Sequence, residues 1–124
     1  MPARKPEECD LLIAEIMAKG DLEALVALYE PNATFVTEPG KTAVGTQAIR
    51  EAQKATLALK PKMKIEVLEV IQGGDLALLH SKWSFTGTKP DGAPVKDQGK
   101  GAEVVRRQKD GTWRFVIDNG HGGE

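Results

Sequence analysis

The chain has 124 residues, with 17 basic and 18 acidic side chains and a pI near 6.1. That length suits one domain, and the balanced charge leaves no basic surplus to neutralise phosphates, so nucleic acid is not an expected partner. Apolar runs such as Leu76 to Leu79 are far shorter than the roughly 20 residues that span a bilayer.

The start of the chain, where Pro2, Arg4, Lys5 and Pro6 lead into an acidic amphipathic run, lacks the apolar core of a signal peptide. The expectation is a cytoplasmic protein with no membrane partner. Cys9 is the only cysteine and has nothing to pair with, and His80 and His121 lie too far from it for metal-ligand spacing. Neither a metal nor a cofactor is expected.

In chain order, Cys9, Leu12, Ile13, Ile16 and Met17 recur with helical spacing and predict a first helix over roughly Pro6 to Lys19, stopped by Gly20. Asp21 is a good N-cap for a short second helix carrying Leu22, Leu25, Val26, Leu28 and Tyr29, and Pro31 ends it. Ala33 to Glu38 reads as a strand closed by Pro39 and Gly40. Gly45 and Thr46 open a third helix whose buried stripe is Ala48, Ile49, Ala52, Ala55, Thr56 and Leu59.

After Pro61 the period changes from 3.6 to 2. Met63, Ile65 and Val67 begin one strand; Leu76 to Thr88, Val95 to Lys109 and Thr112 to Asp118 follow, each after a Gly- or Pro-containing turn. Helices ahead of a hairpin-connected meander give an α+β fold, with N-terminal helices packed on a curved antiparallel sheet. One domain over 1–124 is expected, with 1–5 and 120–124 loose.

A two-residue turn at Asp110 and Gly111 would pair Gln108 with Trp113, Arg106 with Phe115 and Val104 with Ile117. The side bearing Trp113, Phe115, Ile117 and Val104 then faces the helices and carries Arg106 inward, while Glu103, Val105, Arg107, Arg114, Val116 and Asp118 face out. On the preceding strand Leu79, Ser81, Trp83 and Phe85 share the inner side, and His80, Lys82 and Ser84 the outer one.

GDLEALVALYEPNATF over Gly20 to Phe35, EPG followed by GTQAIREA over Gly45 to Ala52, and RRQKDGTWRFVID over Arg106 to Asp118 resemble, in order and spacing, the nuclear transport factor 2-like superfamily. This group includes ketosteroid isomerase and the SnoaL-like polyketide cyclases. The resemblance implies a cone-shaped sheet with a ligand pocket at its open end and a homodimer through the outer sheet face. It also implies a general base at Glu38, which precedes Pro39 as the isomerase's aspartate precedes a proline; an ungapped match puts Thr37 there instead. The isomerase's oxyanion-holding tyrosine and second acid fall at Ile13 and Val104, so its steroid chemistry is not expected.

The catalytic candidates are therefore Glu38 and Asp118; the latter resembles the acids that some cyclases carry near the end of the last strand, and a bulge is needed to turn it inward. Tyr29, Phe35, Trp83 and Arg106 are the candidate substrate-binding residues, with Arg106 either holding a carbonyl-bearing or anionic ligand or pairing with an internal acid such as Glu38. Two functions follow. One is a cofactor-independent proton-transfer enzyme (isomerase, cyclase, dehydratase or hydrolase) acting on a small apolar carbonyl-type molecule. The other is a non-catalytic ligand-binding or dimerisation domain.

Overall fold

The computed structural model describes residues 2–124. Helix α1 spans Glu8–Lys19 and ends where Gly20 turns left-handed, at φ 69°, and returns its N–H to Met17 O. Asp21 accepts a hydrogen bond from Ala24 N at 3.1 Å and caps α2, Leu22–Val26. The second helix is shorter than its apolar stripe suggests, because Tyr29 already belongs to strand β1, Tyr29–Glu38. A tight reversal at Pro39 and Gly40 leads into β2, Lys41–Val44, a strand that the sequence pattern did not reveal. Helix α3, Thr46–Leu57, is followed by β3 (Lys62–Gly73), β4 (Leu76–Thr88), β5 (Pro94–Arg107) and β6 (Trp113–Asn119).

The six strands form one curved, unclosed sheet in the order β2-β1-β6-β5-β4-β3. Strands β3 to β6 make the expected antiparallel meander, but β1 joins β6 in parallel, so the sheet is mixed. Bulges in β1, β3 and β6 bend the sheet around the helices. The core lies inside this curve, where Ile13, Ile16 and Met17 of α1 and Ile49 of α3 meet Tyr29, Leu79, Val105 and Phe115 of the sheet.

The last hairpin departs from the predicted register in two places. Gln108 N donates to Thr112 O and Gly111 N to Gln108 O, so the loop holds three residues, Lys109, Asp110 and Gly111, with Gly111 at φ 83°. Asp110 Oδ1 accepts from both the backbone N–H and the hydroxyl of Thr112, which fastens this longer turn. The added loop residue shifts the register by one, pairing Arg107 with Trp113, Arg106 with Arg114 and Val105 with Phe115. A one-residue slip exchanges the faces of a strand. Val105 and Glu103 consequently point inward, and Arg106, expected inside, points out and pairs with Glu30 at 3.0 Å.

The second departure is a bulge at Val116, which restores the predicted pairs Val104 with Ile117 and Glu103 with Asp118 but turns β6 over. Ile117 is exposed and Asp118 is buried. Of the segments expected to be loose, Met1 lies outside the described residues, while Ala3 and the end at 120–124 are hydrogen-bonded to the sheet. Ala3 is buried and bridges Trp113, whose N–H it accepts at 2.9 Å. At the other end Gly123 N donates to Lys100 O and Trp83 Nε1 donates to Gly120 O at 2.6 Å.

Candidate functional site

Between the inner sheet face, α1 and α3 lies a cavity of about 290 Å³. This is near the lower end of the roughly 300–1,000 Å³ usual for small-molecule sites. Its walls are largely apolar, with Ile13 and Met17 from α1, Phe35 from β1, Met63 and Ile65 from β3, and Phe85 from β4. Trp83 lines the mouth, where its ring meets His121 edge-on at 5.4 Å, and Gly120 and His121 line the same opening.

A connected polar cluster occupies one end of the cavity. Tyr29 O–H donates to Asp118 Oδ2 at 2.6 Å, and Gln53 Nε2 of α3 donates to Tyr29 Oη at 3.0 Å. Directly across the inner face from Asp118 sits Glu103, beside Ser81 and close enough to Asp10 of α1 for a carboxyl proton to lie between them. Gly101 makes room for this pair. A Cβ there would lie 2.6 Å from Ser81 Oγ and closer still to Glu103 Oε2.

The electrostatics follow from burial without a counter-charge: among the described residues no lysine or arginine lines the cavity, while three buried carboxyls do, Asp10, Glu103 and Asp118, along with the exposed Asp97. Burial pushes Asp118 up to about 7, with Asp10 adding to the rise and the Tyr29 hydrogen bond opposing it. Glu103 is raised by burial, then by the hydrogen bond and charge of Asp10, and so holds its proton; Asp10 is raised by burial and eased by the bond from Glu103. The Tyr29 hydroxyl is raised well above its ordinary value, first by burial and then by Asp118, and remains a donor. Cys9, packed beneath the cluster, is raised by burial and is not a thiolate.

Of the residues named from sequence, Asp118, Tyr29, Phe35 and Trp83 are brought together around this cavity, although Tyr29 touches it through Asp118 and Gln53 and not as an aromatic wall. Glu38 is not among them. It is exposed at the end of β1 and pairs with Lys41 at 2.9 Å, because the reversal into β2 carries it past the cavity rim; Thr37 lines the cavity instead. Arg106 is on the opposite sheet face, and the two do not meet. His80 is partly exposed and pairs with Glu69.

Asp10, Gln53 and Glu103 were missed, and two of the three were legible. Asp10 stands at i, i+3 and i+7 with Ile13 and Met17, and Gln53 stands four residues after Ile49, each on the buried stripe of its helix. Glu103 depended on the hairpin register.

Among the described residues no group of three or more His, Cys, Asp or Glu side chains is arranged to hold a metal ion, and no helix is long and apolar enough to cross a membrane. No protein of curated function matches the sequence significantly. The fold is shared with several solved structures. A conserved protein from Planctomyces limnophilus is similar with a TM-score of 0.79 at 16% identity, over 90% of this chain and 88% of the other. A ketosteroid isomerase-like protein from Erwinia carotovora gives 0.78 at 21% identity, over 90% and 88%. A nuclear transport factor 2-like superfamily protein from Salmonella enterica also gives 0.78 at 21%, over 93% and 87%. Likeness at this identity speaks for the fold alone. The sequence itself matches the SnoaL-like domain over residues 12–120, and the chain belongs to that family, within the nuclear transport factor 2-like superfamily.

Proposed function

We propose that this protein is a cofactor-independent enzyme of proton-transfer type, acting in the isomerase, cyclase, dehydratase or hydrolase manner on a small, largely apolar molecule. The observation that carries the reading is Asp118. Its carboxyl stands in an apolar cavity at about 7, the value at which an acid can both take and give a proton near neutrality. Tyr29, its own hydroxyl held by Gln53, fixes one carboxyl oxygen in orientation, so the group need not reorganise as charge moves onto it. Asp118 thus takes the role that the family resemblance assigned to Glu38, whose exposed ion pair with Lys41 suits no such task.

The test is exchange of α-protons from small cyclic ketones in D2O, followed by NMR. Wild type and Glu38→Gln are expected to exchange alike, with a rate rising through pH 7, and Asp118→Asn to lose about 10²-fold or more. Full activity in a folded Asp118→Asn variant removes Asp118 from the role.

A second reading, a binding domain assembled as a homodimer through the outer sheet face, is favoured by a different observation. Val44, Thr34, Ile117, Val104, Leu78 and Ile71 are register partners in turn, so one row crosses all six strands on the outer face. Five of its six members are apolar, and Val44 and Ile71 are more than half exposed. Sedimentation at micromolar concentration is expected to give a dimer that Ile117→Lys dissociates. A clean wild-type monomer removes the homodimer.

A further inference from the structure

The polar end of the cavity is unbalanced in hydrogen bonding as well as in charge. Three buried side-chain atoms there have no partner, Asp10 Oδ2, Gln53 Oε1 and Glu103 Oε1, and every one is an acceptor. Their residues are 3%, 1% and 2% exposed. A buried acceptor without a donor costs about 1–3 kcal/mol, more when charged. The proton that Glu103 holds toward Asp10 can engage both carboxyl oxygens, whereas no described donor reaches Gln53 Oε1, whose amide Nε2 is committed to Tyr29. That acceptor lacks a donor.

Among the described residues no lysine or arginine lines the cavity; besides the carboxyls its wall is largely aromatic and aliphatic, with Thr37, Gln53, Thr56, Ser81 and His121 as the other polar groups. A bound anion would meet the charge of Asp10 with no lysine or arginine to offset it. A carbonyl oxygen would leave Gln53 Oε1 still without a donor. A cation carrying N–H groups answers both deficits at once, and the faces of Phe35, Trp83 and Phe85 suit the apolar body behind it.

We propose that the cavity binds amines, molecules with a small apolar body and an ammonium head whose N–H groups donate to Gln53 Oε1 and the Asp10–Glu103 pair. The inference takes from the proposed function only that this cavity is the working site. In that arrangement Asp10 and Gln53 hold the head and Asp118 is left to exchange a proton with the body. Ligand binding and α-proton exchange are read separately, so either can fail alone.

Calorimetry with three probes of one shape, benzylamine, benzyl alcohol and benzoate, tests it. Benzylamine is expected to bind roughly tenfold or more tighter than benzyl alcohol, as a charge-assisted hydrogen bond exceeds a neutral one by about that margin, and benzoate not to bind. Asp10→Asn should erase the preference for the amine over the alcohol while leaving alcohol binding in place, and Gln53→Leu should weaken both; a thermal melt of each variant confirms that it folds. Benzoate binding as tightly as benzylamine, alcohol and amine binding alike, or no amine binding at millimolar concentration overturns the proposal. So does an amine preference that survives unchanged in both folded variants, since that would seat the head elsewhere.

Discussion

The two faces of the sheet are each at odds with their surroundings. The inner face, which should be apolar throughout, carries Glu103 and Asp118 opposite each other with Asp10 laid over them and no cation beside them. The outer face, which should be polar, carries an apolar row from Val44 to Ile71. Both follow from one piece of geometry. The three-residue loop and the Val116 bulge exchange what β5 and the end of β6 present to either side, sending Ile117 and Arg106 out and two acids in. A carboxylate without a partner is costly to bury, so an inner face built this way trades stability for a site at which protons are held near neutral pH.

The largest test of this contrast compares two neighbours on β6. Phe115 is fully buried, and Phe115→Ala should cost about 3–5 kcal/mol in denaturant melts. Ile117 is 42% exposed, and Ile117→Ala should cost the monomer under about 1 kcal/mol. Equal losses would mean that the bulge is absent and the faces alternate without interruption.

The pH dependence of stability sharpens the inner half of the comparison. Asp118 rises from an ordinary 3.8 to about 7 in the fold, so the folded protein retains a proton that the unfolded chain has released. The stability that this group contributes is present below its unfolded value and is lost as pH climbs toward 7, at up to roughly 1.4 kcal/mol per pH unit. Glu103 is displaced in the same direction, so its loss continues above neutrality. The melting temperature should fall from pH 5 to pH 8, and Glu103→Gln should flatten the fall and exceed wild type at pH 8. A melting temperature that rises over this range would show that the acids are relieved by some cation or by water.

A smaller effect is expected at Gly101, where an added methyl group collides with Ser81 Oγ and Glu103 Oε2. Gly101→Ala should cost about 1–3 kcal/mol. Because the closest collision is with the end of the Glu103 side chain, Glu103→Ala in the same chain should recover part of the loss. Strict additivity of the two changes would place the Glu103 carboxyl elsewhere. The smallest effect belongs to Arg106→Ala. Its half-exposed pair with Glu30 is worth about 0–1 kcal/mol, and its loss should leave ligand binding untouched. A clear loss of binding would return Arg106 to the inner face.

Sequence alone determined the three helices, five of the six strands and the superfamily, because each of these announces itself through local periodicity and its own stop signal. Gly20, Asp21 and Gly45 bound their helices where their backbone chemistry requires. It also marked Tyr29, Phe35, Trp83 and Asp118 as residues of interest, and Asp10 and Gln53 were readable on helical stripes as polar groups in apolar positions. Tertiary structure alone decided what those residues do. Period-2 alternation says which residues share a strand face but not which face is inside. That choice passed through one extra loop residue at Lys109 to Gly111 and one bulged residue at Val116. The parallel docking of β1 beside β6, which brings Tyr29 to Asp118 across 89 residues of sequence, has no local signature, since its hydrogen bonds form only once the whole sheet is assembled.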